Sequence, residues 1–280
     1  MYPAQIGYYK PDSLGDALDF LEGKDAKVLA GGMSIIPMLK LRILRPKYLV
    51  DIGDLKELSF IKEGEVTAIG ATTRHRDLAS HKIPGLELIQ ETASKVGDVQ
   101  VRNMGTVGGS LCNADPSADY PAVFTALEAR MVLRSRSGVR EVDANEFFKG
   151  PFSTSLKQDE VLEQIKVRSL KGYYQTYKKI VRRAGDYALV GLALAIKLDS
   201  GIVKDVRISF TGVDEKPYRA REAEKALMDS KLDESKISEA SNLASRGANP
   251  PSDSRGSSSY RREVMRRLLK NTLEGILNAS

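Results

Sequence analysis

Apolar residues recur at helical spacing over residues 14–22, where Leu14, Ala17, Leu18 and Leu21 share one face and Asp12 or Ser13 can cap the start. A short apolar run at residues 27–30 then meets Gly31-Gly32-Met33-Ser34 and passes into Ile35-Ile36-Pro37-Met38-Leu39-Lys40. This pattern predicts a strand, a glycine turn and the start of a helix. Ser34 falls at the N-cap and Pro37 in the first turn, where proline is tolerated. Residues 47–52 alternate like a strand. Residues 58–61 and 66–70 predict a hairpin around Glu63-Gly64-Glu65, and Thr72-Thr73-Arg74-His75 can cap a following helix. Residues 84–96 predict another helix, with Leu86, Ile89 and Ala93 inward.

Residues 97–122 break the pattern. They read GDVQVRNMGTVGGSLCNADPSADYPA, with almost no apolar run fit for a core and with a double glycine flanked by Thr106 and Ser110. Glycine pairs allow close backbone approach and positive φ, so this stretch is expected to be a binding loop for a phosphate or polyol. The first double glycine, at residues 31–32, has the same character, since the free N–H groups of a strand–turn–helix junction favour anions.

Beyond it, residues 121–127 predict a helix. Residues 131–134 and 140–143 predict a hairpin across Ser137-Gly138, and residues 161–167 a strand. The domain boundary is expected at residues 168–172. Apolar segments at 173–181 and 189–198 flank Arg182-Arg183-Ala184-Gly185-Asp186-Tyr187, and residues 203–213 alternate again. Helices are predicted over 220–228, 237–245 and 260–277, the last two separated by a polar loop. Strands and helices are segregated, which indicates an α+β fold. The expected division is residues 1–168, in subdomains of about 1–54 and 55–168, followed by residues 169–280.

Composition narrows the chemistry. The chain has 280 residues, 41% hydrophobic and 29% charged, with 43 basic and 37 acidic side chains for a net charge of +6. The basic residues are dispersed except near residues 261–267, so a nucleic-acid surface is not expected. One cysteine, Cys112, excludes an internal disulfide and a Cys-ligated cluster in this chain, and is expected to pack. The two histidines, His75 and His81, are expected in loops or at the surface. Asp115 and Asp186 can cap turns. No stretch has signal-peptide or membrane-spanning character, and a cytoplasmic location is the expectation.

Four patterns fall in order: Ala30-Gly31-Gly32-Met33-Ser34 with Pro37 and Lys40; Gly70-Ala71-Thr72-Thr73; Asn103 to Ser110 with Ala114 to Asp119; and Arg182 to Ala188. Together, and with Ser259-Tyr260-Arg261-Arg262, the chain closely resembles the FAD-binding medium subunits of the molybdenum hydroxylases over nearly its whole length. That family includes carbon monoxide dehydrogenase, xanthine dehydrogenase and archaeal glyceraldehyde oxidoreductases. The resemblance implies a two-part FAD domain of the vanillyl-alcohol-oxidase or PCMH type and a smaller α+β domain, with an antiparallel sheet, that covers the flavin. It implies a heterotrimer, as a dimer of heterotrimers, with a large molybdopterin subunit and a small subunit carrying [2Fe–2S] clusters. This chain would take electrons from the small subunit and pass them to an external acceptor.

By the same resemblance, Ala30, Gly31, Gly32, Met33, Ser34, Ile35 and Ile36 match one pyrophosphate loop, and Thr106, Gly108, Gly109 and Ser110 the other. Asp119 matches the acid at the ribityl or pyrophosphate region, Leu162 an apolar contact to flavin or adenine, Lys178 the lysine near the flavin N1/O2 edge, and Tyr187 the residue beside the isoalloxazine ring. The residue types suit these roles, because glycine N–H groups and hydroxyls donate to phosphate and an ammonium stabilises negative charge on a reduced flavin. Two positions depart from the pattern: many relatives have Asn where Ser110 stands, and often His or another polar residue where Met33 stands. A self-contained FAD oxidoreductase using the same cradle, and a basic non-catalytic binding module acting through residues 261–267, remain as alternatives.

Overall fold

The computed structural model describes residues 2–279. The chain begins with a small parallel sheet. β1 (Gly7–Tyr9), β2 (Ala26–Leu29) and β3 (Tyr48–Asp51) lie in the order β1-β3-β2, joined by α1 (Leu14–Leu21) and α2 (Ile35–Lys40). Ser13 caps α1 by accepting the Asp16 N–H, and Leu14, Ala17, Leu18 and Leu21 pack onto Val50 and Ile52. Ser34 occupies the N-cap position of α2 but makes no capping hydrogen bond, because its backbone is already helical.

A second unit follows. The expected hairpin across residues 63–65 is present but its first arm is shorter than residues 58–61: Leu58 closes a 3-10 turn (Lys56–Leu58) and β4 (Ile61–Lys62) pairs with β5 (Val66–Gly70). Next come α3 (His75–Ser80), α4 (Glu87–Lys95), α5 (Val99–Met104), α6 (Val107–Asn113) and α7 (Asp119–Ala126). After them lie β6 (Arg130–Ser135), β7 (Gly138–Asp143), α8 (Ala144–Phe147), the small hairpin β8 (Phe148–Gly150) and β9 (Ser153–Thr154), and β10 (Val161–Arg168). The sheet order is β4-β5-β10-β6-β7, antiparallel throughout.

Residues 97–122 are therefore not one loop but three short helices joined by tight turns. The first two start at polar caps, Asp98 accepting from the Val101 N–H at 2.8 Å and Thr106 from the Gly109 N–H at 3.1 Å, whereas α7 starts at Ala118 without one. Helices of this length are marginal alone and depend on tertiary packing, which is why apolar periodicity does not reveal them. His75 also differs from the surface position expected of it. It opens α3 and is buried, 5.3 Å from the Tyr120 ring. His81 lies at the surface, 2.7 Å from Glu63.

The third unit is an antiparallel sheet in the order β11-β12-β13-β14, made of β11 (Tyr174–Ile180), β12 (Val190–Asp199), β13 (Ile202–Thr211) and β14 (Tyr218–Arg219). It is backed by α9 (Arg221–Leu227), α10 (Glu234–Gly247) and α11 (Ser258–Leu277). β12 is buried on both faces. Leu192, Leu194 and Ile196 pack with Met265, Leu269 and Leu273 of α11, while Ala193 and Ala195 join the core of the second unit together with Tyr177.

The two units are also tied by hydrogen bonds to the segment that precedes α7. The Gly212 N–H donates to Pro116 O at 2.8 Å, the Thr211 hydroxyl lies 2.8 and 2.7 Å from Pro116 O and Ala118 O, and the Ala188 N–H donates to Ser117 O at 3.2 Å. Arg261, fully buried, fastens α11 to the same place. It donates to Leu189 O at 2.6 Å, to Gly212 O at 3.0 Å and to both oxygens of Asp253 at 2.8 Å. Burial works against the Asp253 charge, yet its bonds to Arg261 and Arg255 hold its carboxyl at about 2. The other arginines of α11 are likewise engaged: Arg262 donates to Ser245 O and Ala248 O, and Arg266 and Arg267 share Glu263.

Arg261→Met is expected to destabilise the chain by about 3 kcal/mol, because it leaves buried carbonyls unpaired. Arg267→Met, which removes only an exposed pair, is expected to change stability by less than about 0.5 kcal/mol. Urea denaturation of the two variants measures the difference.

Candidate cofactor site

A cavity of about 820 Å³ lies where the first parallel sheet, the α3–α7 region and the turn after β11 meet. Its first wall is the turn from β2 into α2. A Cβ on Gly31 would collide with the carbonyl oxygen of Met104 and lie 2.7 Å from Gly105 Cα, so bare backbone rests on bare backbone here. Among the described hydrogen bonds, none engages the N–H of Gly31, Gly32, Met33, Ser34 or Ile35, and the next N–H, of Ile36, donates to Gly32 O at 3.0 Å. Successive unpaired N–H groups in a turn form a cradle for an anion.

The second wall is α6. Its first N–H groups are already spent on the turn after β5: Val107 donates to Thr73 O at 3.0 Å and Gly108 to Ala71 O at 2.9 Å. A Cβ on Gly108 would sit 2.5 Å from Ala71 Cβ, so glycine is needed for this seating. Gly109 is different. It is exposed to the cavity, and a Cβ there would meet only Thr106 Oγ1, at 2.8 Å. The first wall thus supplies donors, and the second supplies shape and the Thr106 and Ser110 hydroxyls.

The third unit contributes a buried polar cluster. Asp119, at the first turn of α7, accepts from Tyr177 Oη at 2.6 Å and from Lys179 Nζ at 3.0 Å. Lys179 also donates to Lys95 O at 3.1 Å. Burial raises the Asp119 pKa, opposed by the Lys179 charge and by both hydrogen bonds. Burial and the neighbouring carboxylate drive the Tyr177 phenol well above its ordinary value, so it remains a donor. Tyr187 stands at the mouth, 45% exposed, with its hydroxyl end beside Ser34; burial of that end and the Asp115 charge raise its pKa.

Of the residues singled out from the sequence, Ala30 to Ile35, Thr106, Gly108, Gly109, Ser110, Asp119, Leu162 and Tyr187 all line this one cavity. Ile36 and Lys178 do not. Ile36 lies one residue past the cradle, inside α2. Lys178 is exposed on the opposite face of β11, because side chains alternate along a strand and Tyr177 and Lys179 share the inward face. Of the two adjacent lysines it is therefore Lys179 that places its cation in the cavity, which Lys27 and Lys157 also line, and strand parity with the buried Tyr177 is the signal that identifies it.

His75 and Thr72 also line the cavity and were not singled out as site residues. Burial, with a smaller contribution from Arg102, holds the His75 imidazole down at about 4, so it is neutral near pH 7. Asp115 accepts the Ser117 N–H at 2.9 Å and so caps its turn, whereas Asp186 lines the cavity. Cys112 packs against the core, and burial pushes its thiol up to about 12. Among the described residues no group of His, Cys, Asp and Glu could hold a metal ion, and no helix is long and apolar enough to cross a membrane.

Comparison with known proteins agrees with this geometry. Residues 4–168 match the family described as FAD binding domain in molybdopterin dehydrogenase, and residues 175–276 the family described as CO dehydrogenase flavoprotein C-terminal domain. The chain is 48% identical to the glyceraldehyde dehydrogenase medium chain of Sulfolobus acidocaldarius over 95% of this chain and 96% of that one. It is 36% identical to the carbon monoxide dehydrogenase medium chain of Hydrogenophaga pseudoflava, over 98% and 97% respectively. A solved carbon monoxide dehydrogenase from Hydrogenophaga pseudoflava, lacking the Mo-pyranopterin moiety, superposes with a TM-score of 0.94 at 38% identity, covering 97% of this chain and 96% of that chain.

Because His75 is neutral in the fold and protonates freely when unfolded, its contribution to stability is complete above pH 6.5 and falls as the pH drops toward 4. The loss across that window is expected to reach about 3 kcal/mol. His75→Gln is expected to flatten this part of the profile, measured as the difference in unfolding free energy between the two proteins from pH 7 to pH 4.

Proposed function

The chain belongs to the FAD-binding medium subunits of the molybdopterin and carbon monoxide dehydrogenase family, and from that premise we propose that it binds FAD in the 820 Å³ cavity and serves as the exit for electrons from a heterotrimeric molybdenum hydroxylase. The single observation that carries the reading is the run of unpaired N–H groups from Gly31 to Ile35, set opposite the Thr106 and Ser110 hydroxyls in one cavity. A diphosphate is the group such a donor set suits, since it carries two negative charges and tolerates no steric bulk between them and the backbone.

The residues have separable tasks. The Gly31–Ile35 turn binds the diphosphate, Gly109 leaves room for it, and Thr106 and Ser110 add hydroxyl donors. Asp119 holds the Lys179 ammonium in the cavity, where it favours negative charge on a reduced ring system. Tyr187 offers a flat face at the mouth. The flavin, once bound, supplies the capacity to accept electrons from a one-electron carrier and release them in pairs.

A partner subunit with [2Fe–2S] clusters would deliver the electrons, and a large molybdopterin subunit would oxidise the substrate. The higher identity to a glyceraldehyde dehydrogenase medium chain than to the carbon monoxide dehydrogenase chains favours an aldehyde of that kind as the substrate of the complex. A self-contained oxidoreductase is disfavoured, because the cavity's Asp119 and Lys179 are committed to each other and its histidine stays neutral. The basic-module alternative is disfavoured too, because the arginines of α11 are consumed by internal contacts.

The purified chain is expected to take up one FAD, seen as flavin absorbance near ~450 nm that survives gel filtration. Gly109→Val, which fills the space facing the first wall and displaces the Thr106 cap of α6, is expected to abolish uptake while keeping the circular dichroism spectrum of the parent and costing only about 1–2 kcal/mol of stability. Flavin content equal to the parent in that variant would refute the cradle.

Lys179→Met is expected to lower the midpoint potential of the bound flavin by about 30 mV or more, equivalent to roughly 1.4 kcal/mol for a two-electron couple. Lys178→Met is expected to leave it unchanged. Spectroelectrochemical titration of both variants distinguishes the two lysines.

A further inference from the structure

β2 is an edge strand of the first sheet, whose order is β1-β3-β2. An edge strand leaves a row of N–H and C=O groups without a strand partner. The register says which groups these are. The Tyr48 N–H donates to Asp25 O at 3.2 Å and the Ile52 N–H to Leu29 O at 2.8 Å, so Asp25, Lys27 and Leu29 turn their backbone toward β3. Ala26 and Val28 therefore turn theirs to the open edge, while their side chains join the core that α1 covers. The Ala26 N–H is spent on Lys24 O at 3.0 Å. Ala26 C=O, Val28 N–H and Val28 C=O remain, and none of the described loop or side-chain hydrogen bonds engages them.

The cofactor cavity reaches this edge. Ala26 and Val28 both line it, as do Leu156, Val161 and Leu162 from the loop before β10 and from its first residues. That loop is fixed to the start of β2, because the Gln158 amide donates to Lys24 O at 2.9 Å. Arg140 stiffens it, with bonds to the two oxygens of Glu160 at 2.6 and 2.7 Å and to Ser155 O at 2.7 Å. The edge and the loop thus bound one end of the cavity with apolar side chains and a strip of unpaired backbone groups. Val28 precedes Gly31 by three residues, about 10 Å along an extended chain. This is the length scale of an adenosine between its base and its 5′-phosphate.

On an extended chain the C=O of one residue and the N–H of the second residue after it lie side by side on the same edge. Ala26 C=O and Val28 N–H form such an acceptor–donor pair. Adenine carries the complement, an amino donor beside a ring-nitrogen acceptor, whereas guanine and hypoxanthine place an oxygen acceptor where adenine has its amino group. The charged side chains here are less selective. Lys27 has no hydrogen-bond or ion-pair partner among the described contacts, Lys157 acts on Glu160, which Arg140 already pairs, and Asp25 also lines the cavity. An ammonium attracts a diphosphate whatever base it carries.

We infer that the open edge of β2 reads an adenine base, with Ala26 C=O accepting from the exocyclic amino group and the Val28 N–H donating to the adjacent ring nitrogen. The inference rests on the FAD reading and adds to it the device that selects the base of the dinucleotide. Lys27 and Lys157 strengthen binding without choosing the base.

The test measures the binding of ADP and of inosine diphosphate to the flavin-free full-length chain, with FAD uptake followed separately by absorbance. ADP is expected to bind about tenfold or more tightly than inosine diphosphate, the scale of one mismatched donor–acceptor pair. Val28→Pro removes the donor at a position where an edge strand tolerates proline, since that N–H is outside the ladder. It is expected to weaken ADP by about tenfold and to bring the two diphosphates close to equal. Lys27→Met is expected to weaken both alike, by about two- to fivefold, and to keep their ratio. Equal affinity of the parent chain for the two diphosphates would overturn the inference, whether or not Val28→Pro folds. So would a folded Val28→Pro chain that keeps the parent ratio, a Lys27→Met chain that loses it, or a parent chain that takes up FAD and binds neither diphosphate. A parent chain that holds no flavin would overturn the FAD reading instead, whatever its preference among diphosphates.

Discussion

The cavity exists because one turn of the first sheet can lie directly on the backbone that joins α5 and α6. Gly31 makes this contact, against Met104 O and Gly105 Cα, and any side chain there would wedge the two walls apart. The contact has an electrostatic consequence. A turn held in place by backbone contact keeps its N–H groups aimed in fixed directions, with no partner of their own and no side-chain entropy to lose when an anion arrives. The opposite wall is equally rigid, since α6 is seated on Ala71 and Thr73 by its own first amides. Donors and shape come from different walls, and neither depends on a flexible side chain.

The third unit is held to this frame at one place, the segment from Pro116 to Ala118. β13 and the end of the β11–β12 turn bond to it, and Arg261 locks α11 behind them. Asp119 follows directly in the chain. Its two oxygens are therefore met by Tyr177 and Lys179 of the adjoining β11, in a pair both of whose members are almost fully buried. A buried ion pair of this kind contributes little net stability, because desolvation offsets most of the attraction. What it does achieve is placement: the ammonium cannot swing into solvent, and the remaining carboxylate oxygen is satisfied by a phenol that stays protonated.

Long amphipathic and alternating segments were legible in the sequence. α1, α11, the β6–β7 hairpin and the alternating β13 follow from spacing, whereas β12, buried on both faces, reads only as an apolar segment. The two glycine turns were legible as places where backbone comes close, and the structure brings both to one cavity because side chains are absent there. Residues 97–122 were not, since helices of one or two turns carry little apolar periodicity and announce themselves only by Asp98 and Thr106 as caps. His75 was misread because an isolated histidine gives no hint of burial. Lys178 and Lys179 are adjacent and chemically alike, and only the pairing of β11 with β12, which turns Tyr177 inward, separates them.

The departures at Met33 and Ser110 matter less than the composition of the two turns suggests. Met33 offers the cavity its N–H, a donor every residue but proline has, so its thioether can stand partly exposed at the mouth without removing a hydrogen bond from the cradle. Ser110 has already given its N–H to Thr106 O at 3.0 Å, and so contributes only a hydroxyl. A shorter side chain than Asn shortens the reach of that one donor and leaves the five amides of the first wall untouched. The positions that admit no substitution are those where atoms are absent by necessity, Gly31 at the contact between the walls and Gly108 on Ala71, because there the constraint is steric and no alternative side chain can meet it.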